Sequence, residues 1–139
     1  MTNEEFANMI NDNPQPCMSS LGATLNSVDQ ALGTADMNFE MPLDFCHSGD
    51  IVQGGFVTGM LDAATTMAGF ASVGQFCILN TLEIKVSFLA PSRAGSFNAK
   101  ARVVRGGKSI TFMDAELFNG DGELTATATT TAKLVLQKP

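Results

Sequence analysis

Tryptophan and tyrosine are both absent from this 139-residue chain, and it has a single histidine. Bulky packing must therefore come from ten Phe and eight Met, and a zinc site built on clustered His and Cys is not expected. Cysteine is scarce too. Cys17, Cys46 and Cys77 are an odd number without paired spacing, which suits reduced structural thiols better than a disulfide framework. Basic residues are few: eight Lys and Arg against fourteen Asp and Glu leave a formal net charge of −6, which argues against nucleic acid as the main partner. Met1-Thr2-Asn3-Glu4-Glu5 offers neither a basic n-region nor an apolar h-region, so no signal peptide is expected. No apolar run stands out as approaching membrane-spanning length. These absences lead to the expectation of a cytoplasmic protein without membrane or nucleic-acid partners. With 139 residues, 45% apolar and 16% charged, the chain has the size and composition of one soluble domain.

Periodicity supplies the elements. Thr2 and Glu5 make a capping box before Phe6, Met9 and Ile10, predicting a short helix over about 2–12 that stops at Asn13-Pro14-Gln15-Pro16. Cys17 to Asp29 and Leu32 to Met41 read as a first hairpin turning near Ala31-Leu32-Gly33. A loop from Pro42 to Val52 leads to a long helix over about Gln53 to Ser72. Beyond it, Leu82, Ile84, Val86 and Phe88 alternate with polar neighbours, as do Phe97, Ala99, Ala101 and Val103. Ile110 to Leu117 follows, with a slip near Met113 that suggests a bulge, and then Leu124 to Leu136. Gly106-Gly107 and Asn119-Gly120-Asp121-Gly122 supply hairpin turns. The order is strand, strand, long helix, then a four-strand meander. One long helix must cover the apolar face of that sheet, giving an α+β two-layer domain.

The chemistry concentrates at the start of the long helix. Gln53-Gly54-Gly55 leaves backbone N–H groups open to a carbonyl oxygen or an anion. Nine positions after the Gln, Asp62 stands within an apolar surface of Val57, Met60, Leu61, Ala64 and Met67. A carboxylate there is costly to bury without partners. A backbone oxyanion donor and a lone carboxylate are the minimum equipment for hydrolysing an activated acyl group.

Gln53-Gly54-Gly55, Asp62 and the strand Thr81 to Phe88 followed by Pro91 and Gly95 resemble the PaaI-like hotdog-fold acyl-CoA thioesterases, over roughly Leu21 to Leu136. The resemblance implies a single hotdog domain, residues 1–139, with an antiparallel sheet wrapped around one central helix. It also implies hydrolysis of a small aryl- or medium-chain acyl-CoA without cofactor or metal. Two positions depart from the family pattern: Gln53 stands where the family has His, and His47 where it has Asn or Gln.

On this reading Gly54 N–H is the oxyanion donor and Asp62 the general base or nucleophile. Gln53 and His47 are candidate donors to the thioester, and Thr66 and Thr81 candidate partners of the acid. Gly55, Met60 and Phe88 would lie along the acyl group. Lys100, Arg102, Arg105 and Lys108 hold four of the eight basic residues in nine positions, a patch suited to the phosphates of coenzyme A. Gly54 and Asp62 would be ~12 Å apart on one straight helix, too far to touch one carbonyl. The two groups are therefore expected to meet across a homodimer, alone or within a homotetramer. The alternative reading is a non-catalytic acyl-CoA-binding module. A dehydratase relying on His47 and a hydrolase of carrier-protein thioesters are further alternatives.

Overall fold

Alanine decides where the long helix can sit. In the computed structural model, which describes residues 1–75 and 77–138, six strands form one antiparallel sheet: β1 (Thr24–Asp29), β2 (Thr34–Met41), β3 (Cys77–Phe88), β4 (Gly95–Gly106), β5 (Ile110–Asn119) and β6 (Leu124–Leu136). Ala35, Ala101, Ala115 and Ala128 fall in register on β2, β4, β5 and β6, so a row of small side chains crosses the inner face. Larger rows flank it, Met37–Ala99–Leu117–Ala126 on one side and Val103–Met113–Thr130 on the other. The helix α3 (Gly54–Val73) fills this trough with Val57, Met60, Leu61, Ala64, Met67, Ala68 and Ala71, all buried. This is the hotdog arrangement, an α+β fold of one long helix packed against a six-strand antiparallel sheet.

The strand order is β1-β2-β4-β5-β6-β3. The expected four-strand meander is therefore only three strands long, β4 to β6. β3 pairs with β6, from Cys77↔Leu136 to Phe88↔Ala126, and forms an edge of the sheet. The segment from Leu89 to Ala94 is therefore a crossover between two strands that are not neighbours. The slip expected near Met113 falls on the facing strand, where Val103 pairs Met113 and Arg105 pairs Phe112, leaving Val104 as the extra residue. The first hairpin is shorter than expected, because Pro16–Ser20 forms a helical turn, α2, with Pro at its first position. α3 is also long and apolar enough by composition to cross a membrane, contrary to the sequence expectation. It is nonetheless the core helix of the fold, with Asp62 its one charged residue.

The capping box at Thr2 and Glu5 starts α1 (Asn3–Asp12) as expected. α1 lies beside β1, the other edge of the sheet. Asn11 secures the contact: its Nδ2 donates to Leu25 C=O and its Oδ1 accepts from Leu25 N–H, each at 2.9 Å. The bond pair stands in for a missing strand neighbour at the irregular Leu25/Ser27 step of β1. Asn11→Ala leaves both backbone groups without partners, and we predict a loss of about 2 kcal/mol. Urea titration should show a lower midpoint with unchanged slope.

Candidate functional site

The N-terminus of α3 is built by the chain just before it. Cys46 bridges Val52, and Ile51 bridges Arg93. Val52 N–H donates to Ser92 C=O at 2.7 Å, and an Asp50–Arg93 ion pair of 2.6 Å fastens the same two segments. Gln53 N–H donates to Phe45 C=O. Phe45 stacks flat on Phe56 with ring centroids 4.2 Å apart. Gln53 is the N-cap, and its side-chain oxygen accepts from Gly55 N–H at 2.8 Å. Phe56 and Val57 N–H both turn back to Gln53 C=O. Among the described residues Gly54 N–H has no acceptor, so the free donor of the first turn is the glycine singled out in the sequence.

Above it lies an open cleft of about 470 Å³ whose lining includes His47, Val52, Gly54, Val57, Phe88 and Pro91. A Cβ on Gly54 would come within 3.3 Å of the Phe88 ring, so the glycine keeps room for that ring over the helix end. His47 is exposed, with Nδ1 2.9 Å from Ser48 Oγ. Gly55 has given its N–H to the Gln53 cap. Met60 is fully buried against the sheet and is absent from the cleft lining.

Asp62 stands half-buried on the flank of α3 that meets β3. Thr81 Oγ1 donates to its Oδ1 at 2.8 Å. The irregular step of β3 between Thr81 and Glu83 falls immediately after this threonine. Thr66 is half-buried, and no hydrogen bond from it to the Asp62 carboxylate is present. Its neighbour Thr65 plays a supporting part that was not read from the sequence. Thr65 is completely buried, with Oγ1 3.1 Å from Asp62 C=O and 3.3 Å from Thr130 Oγ1. That role depends on Thr130 of β6 lying opposite, which local spacing does not reveal. Asp62 and the Gly54 N–H lie on the same unbroken helix, ~12 Å apart along its axis.

The basic cluster is less positive than its composition suggests. Lys100 Nζ lies 2.8 Å from Asp36, and Arg102 grips Asp114 with two bonds of 2.9 and 3.1 Å. Arg105 and Lys108 lie at the β4–β5 turn. Val103 packs near Gly33 and Ser72, so this turn belongs to the C-terminal end of α3, away from Gly54 of the same chain. Among the described residues no group of three His, Cys, Asp or Glu could hold a metal ion.

Residues 49–126 match the family model described as the thioesterase superfamily. Similar solved structures agree in fold. A phenylacetic acid degradation-related protein from Ralstonia eutropha JMP134 is 33% identical, with 92% of this chain and 98% of that one aligned at a TM-score of 0.81. A thioesterase family protein from Silicibacter pomeroyi is 28% identical, covering 95% of this chain and 99% of that one at 0.82. The E. coli PaaI protein from the phenylacetic acid degradation operon is 22% identical over 95% of this chain and 92% of its own, also at 0.82.

The Asp36–Lys100 pair leads to a test in pH. Burial pushes the Asp36 carboxyl up, but hydrogen bonds from Lys100, Asn26 and Asn98 outweigh it and hold the group below its usual value. A depressed carboxyl stabilises the fold above its unfolded pKa, and that contribution is lost as pH falls through the folded value. The group is partly exposed, so the contribution is well under ~1 kcal/mol. Asp36→Asn should therefore lose less stability than the wild type between about pH 5 and pH 3, read from urea midpoints across that window.

Proposed function

This chain belongs to the thioesterase superfamily as a PaaI-like hotdog thioester hydrolase, and from that premise we propose that it cleaves an acyl-CoA at a site shared by two subunits. The observation that carries the proposal is the separation of two unspent groups on one straight helix. Among the described residues Gly54 N–H is a donor without an acceptor, and Asp62 is a half-buried carboxylate oriented by Thr81. No single carbonyl reaches both across ~12 Å. An antiparallel partner helix brings the Asp62 of one subunit to the Gly54 of the other, twice per dimer.

β3 is the edge that suits such a partner. It is 12 residues long, nothing among the described residues pairs with its free side, and Leu82 and Phe88 are each more than half exposed. A long apolar edge left open invites pairing with another chain. Paired with its own copy, it extends the sheet and brings the two outer helix faces together.

In the reaction the Gly54 N–H polarises the thioester carbonyl and holds the developing oxyanion. Asp62 takes a proton from the attacking water, or attacks the carbonyl itself to give an anhydride that water then opens. Both routes release the free acid and the CoA thiol. Label in the Asp62 carboxylate after single turnover in heavy-oxygen water would establish direct attack with opening at the Asp62 carbonyl, because general-base catalysis labels only the product acid.

The site is tested by two substitutions and their mixture. Asp62→Ala should lower kcat on acyl-CoA thioesters by about 10²–10⁴-fold. Gly54→Pro deletes the N–H while keeping a residue favoured at the first helical position. The extended backbone of Gln53, at φ −61° and ψ 139°, already suits a following proline. Gly54→Pro should cost about 10²–10³-fold, well beyond the loss in Gly54→Ala, which sets the same Cβ against the Phe88 ring but keeps the N–H. Each variant alone is nearly inactive, but co-refolding equal amounts should restore about a quarter of wild-type activity, since half the dimers then carry one intact composite site. No recovery in refolded mixed dimers would place both groups in one chain.

A further inference from the structure

A second cavity, of about 360 Å³, opens between α1 and the C-terminal end of α3. Its wall includes Phe6, Met9, Ile10, Phe70 and Cys77 beside Gln15, Gln30 and Gln75, and most of its exposed surface is apolar. Burial among these side chains pushes the Cys77 thiol up. Apolar side chains around an open hollow favour an apolar guest that removes them from water. The thioesterase chemistry described above uses none of these residues.

Two independent rulers tie the cavity to Asp62. Along α3, Asp62, Thr66 and Phe70 follow at four-residue steps on the half-buried side, and Phe70 lies ~12 Å beyond Asp62. Along β3, Thr81 bonds Asp62, and Cys77 lies four residues earlier, ~13 Å away. Helix and strand run antiparallel here, since Gly54 lies against Phe88 and Gly69 against Leu79. Phe70 and Cys77 are therefore the matching ends of the two rulers, and both line the cavity.

We infer that this cavity receives the far end of an aliphatic acyl chain whose thioester carbonyl lies at Asp62, which makes medium-chain acyl thioesters the substrate class. The inference rests on the thioesterase reading and narrows it. An extended chain with bonds of ~1.5 Å advances a little over ~1.2 Å per carbon. About eight to twelve carbons thus reach from the carboxylate into the hollow, whereas a benzoyl or phenylacetyl group stops short of it. Each methylene that enters the cavity should raise kcat/KM by about 4-fold, until the chain fills the space.

The experiment compares butyryl- to hexadecanoyl-CoA and phenylacetyl-CoA on the wild type and on Met9→Trp, which fills the cavity from α1. The wild type should peak near decanoyl. The variant should lose at least 10-fold in kcat/KM on decanoyl-CoA and stay within 2-fold on butyryl-CoA. A flat chain-length profile, or an equal loss on both substrates, overturns the inference while leaving the thioesterase reading intact. Absence of hydrolysis on every thioester instead removes the reading beneath it. A binding measurement stands apart from turnover and from the folding of the variant. In a Cys17→Ser, Cys46→Ser chain, decanoate should slow maleimide labelling of Cys77 at least 5-fold, and butyrate should not. Equal labelling rates with and without decanoate also overturn it.

Discussion

The seating of α3 on the alanine row is the contact from which the rest of the structure follows. Four in-register alanines lower the middle of the sheet, and the large side chains of the interface come instead from the helix and the flanking rows. Interiors are packed densely enough that a methylene of misfit is felt, so a larger residue at Ala101 or Ala115 would lift the helix. The spacing at Gly69 is closer still. A Cβ there would stand 2.5 Å from Leu79 Cδ1 and 3.0 Å from Met113 Sδ. Depth on one side fixes what is left on the other. With Met60, Leu61 and Ala64 buried in the core, Asp62 and Thr66 remain half-buried, and Asp62 reaches Thr81 on the edge strand. The carboxylate is thus held at a fixed height above the core without being desolvated within it, and Thr81 orients it from the strand alongside.

The same seating gives β3 its two roles. Its inner side chains lie along α3, from Leu79 beside Gly69 to Phe88 beside Gly54, so the strand acts as a scale against which helix positions are read. Its outer backbone is an unpaired edge. In the proposed dimer the strand that positions Asp62 would also join the subunits. A shift in its register would then move the acid relative to the partner's oxyanion donor. Strand registers are strongly specified where one face is buried, because a one-residue slip turns every side chain over. Ile84 and Val86, opposite Thr130 and Ala128 in the core, supply that specification.

Much of this was legible in the sequence, for reasons that differ by element. The capping box of α1, the long helix and the alternating strands carry their own periodicity, so local reading suffices. Gly54 and Asp62 were legible because a diglycine at a helix start and one acid in an apolar run are anomalies that composition exposes. The pairing of β3 with β6 was not legible. Alternation says that a segment is a strand but not which strand lies beside it, and adjacent strands in sequence are neighbours in space only about two-thirds of the time. The alanine row was hidden for the same reason, being a property of register across four strands. Four-residue spacing from Asp62 points to Thr66 as its partner, and nothing local points to Thr65. The helix instead turns Thr65 inward to Thr130 and leaves Thr66 on the outer side. The acids that pair with Lys100 and Arg102, Asp36 and Asp114, lie on neighbouring strands, so the spacing of the basic residues does not reveal them.

The departures at Gln53 and His47 then acquire a physical meaning. A first helical turn exposes several N–H groups, and a glycine pair could offer two of them to one oxygen. Gln53 removes that ambiguity. By accepting from Gly55 it takes the second donor out of competition and leaves Gly54 as the single free one. The cap is specific to a side chain with an acceptor oxygen that can fold back over the turn. His47 stands across the cleft lining with one ring nitrogen turned to Ser48. The loop that carries it is fastened to the crossover by the Asp50–Arg93 pair and the Val52–Ser92 bond. The two exchanges therefore change the side chains around the helix start, while the free backbone donor and the acid stay where the fold puts them. In the proposed reaction they would bear on how the thioester is oriented before they bear on its cleavage.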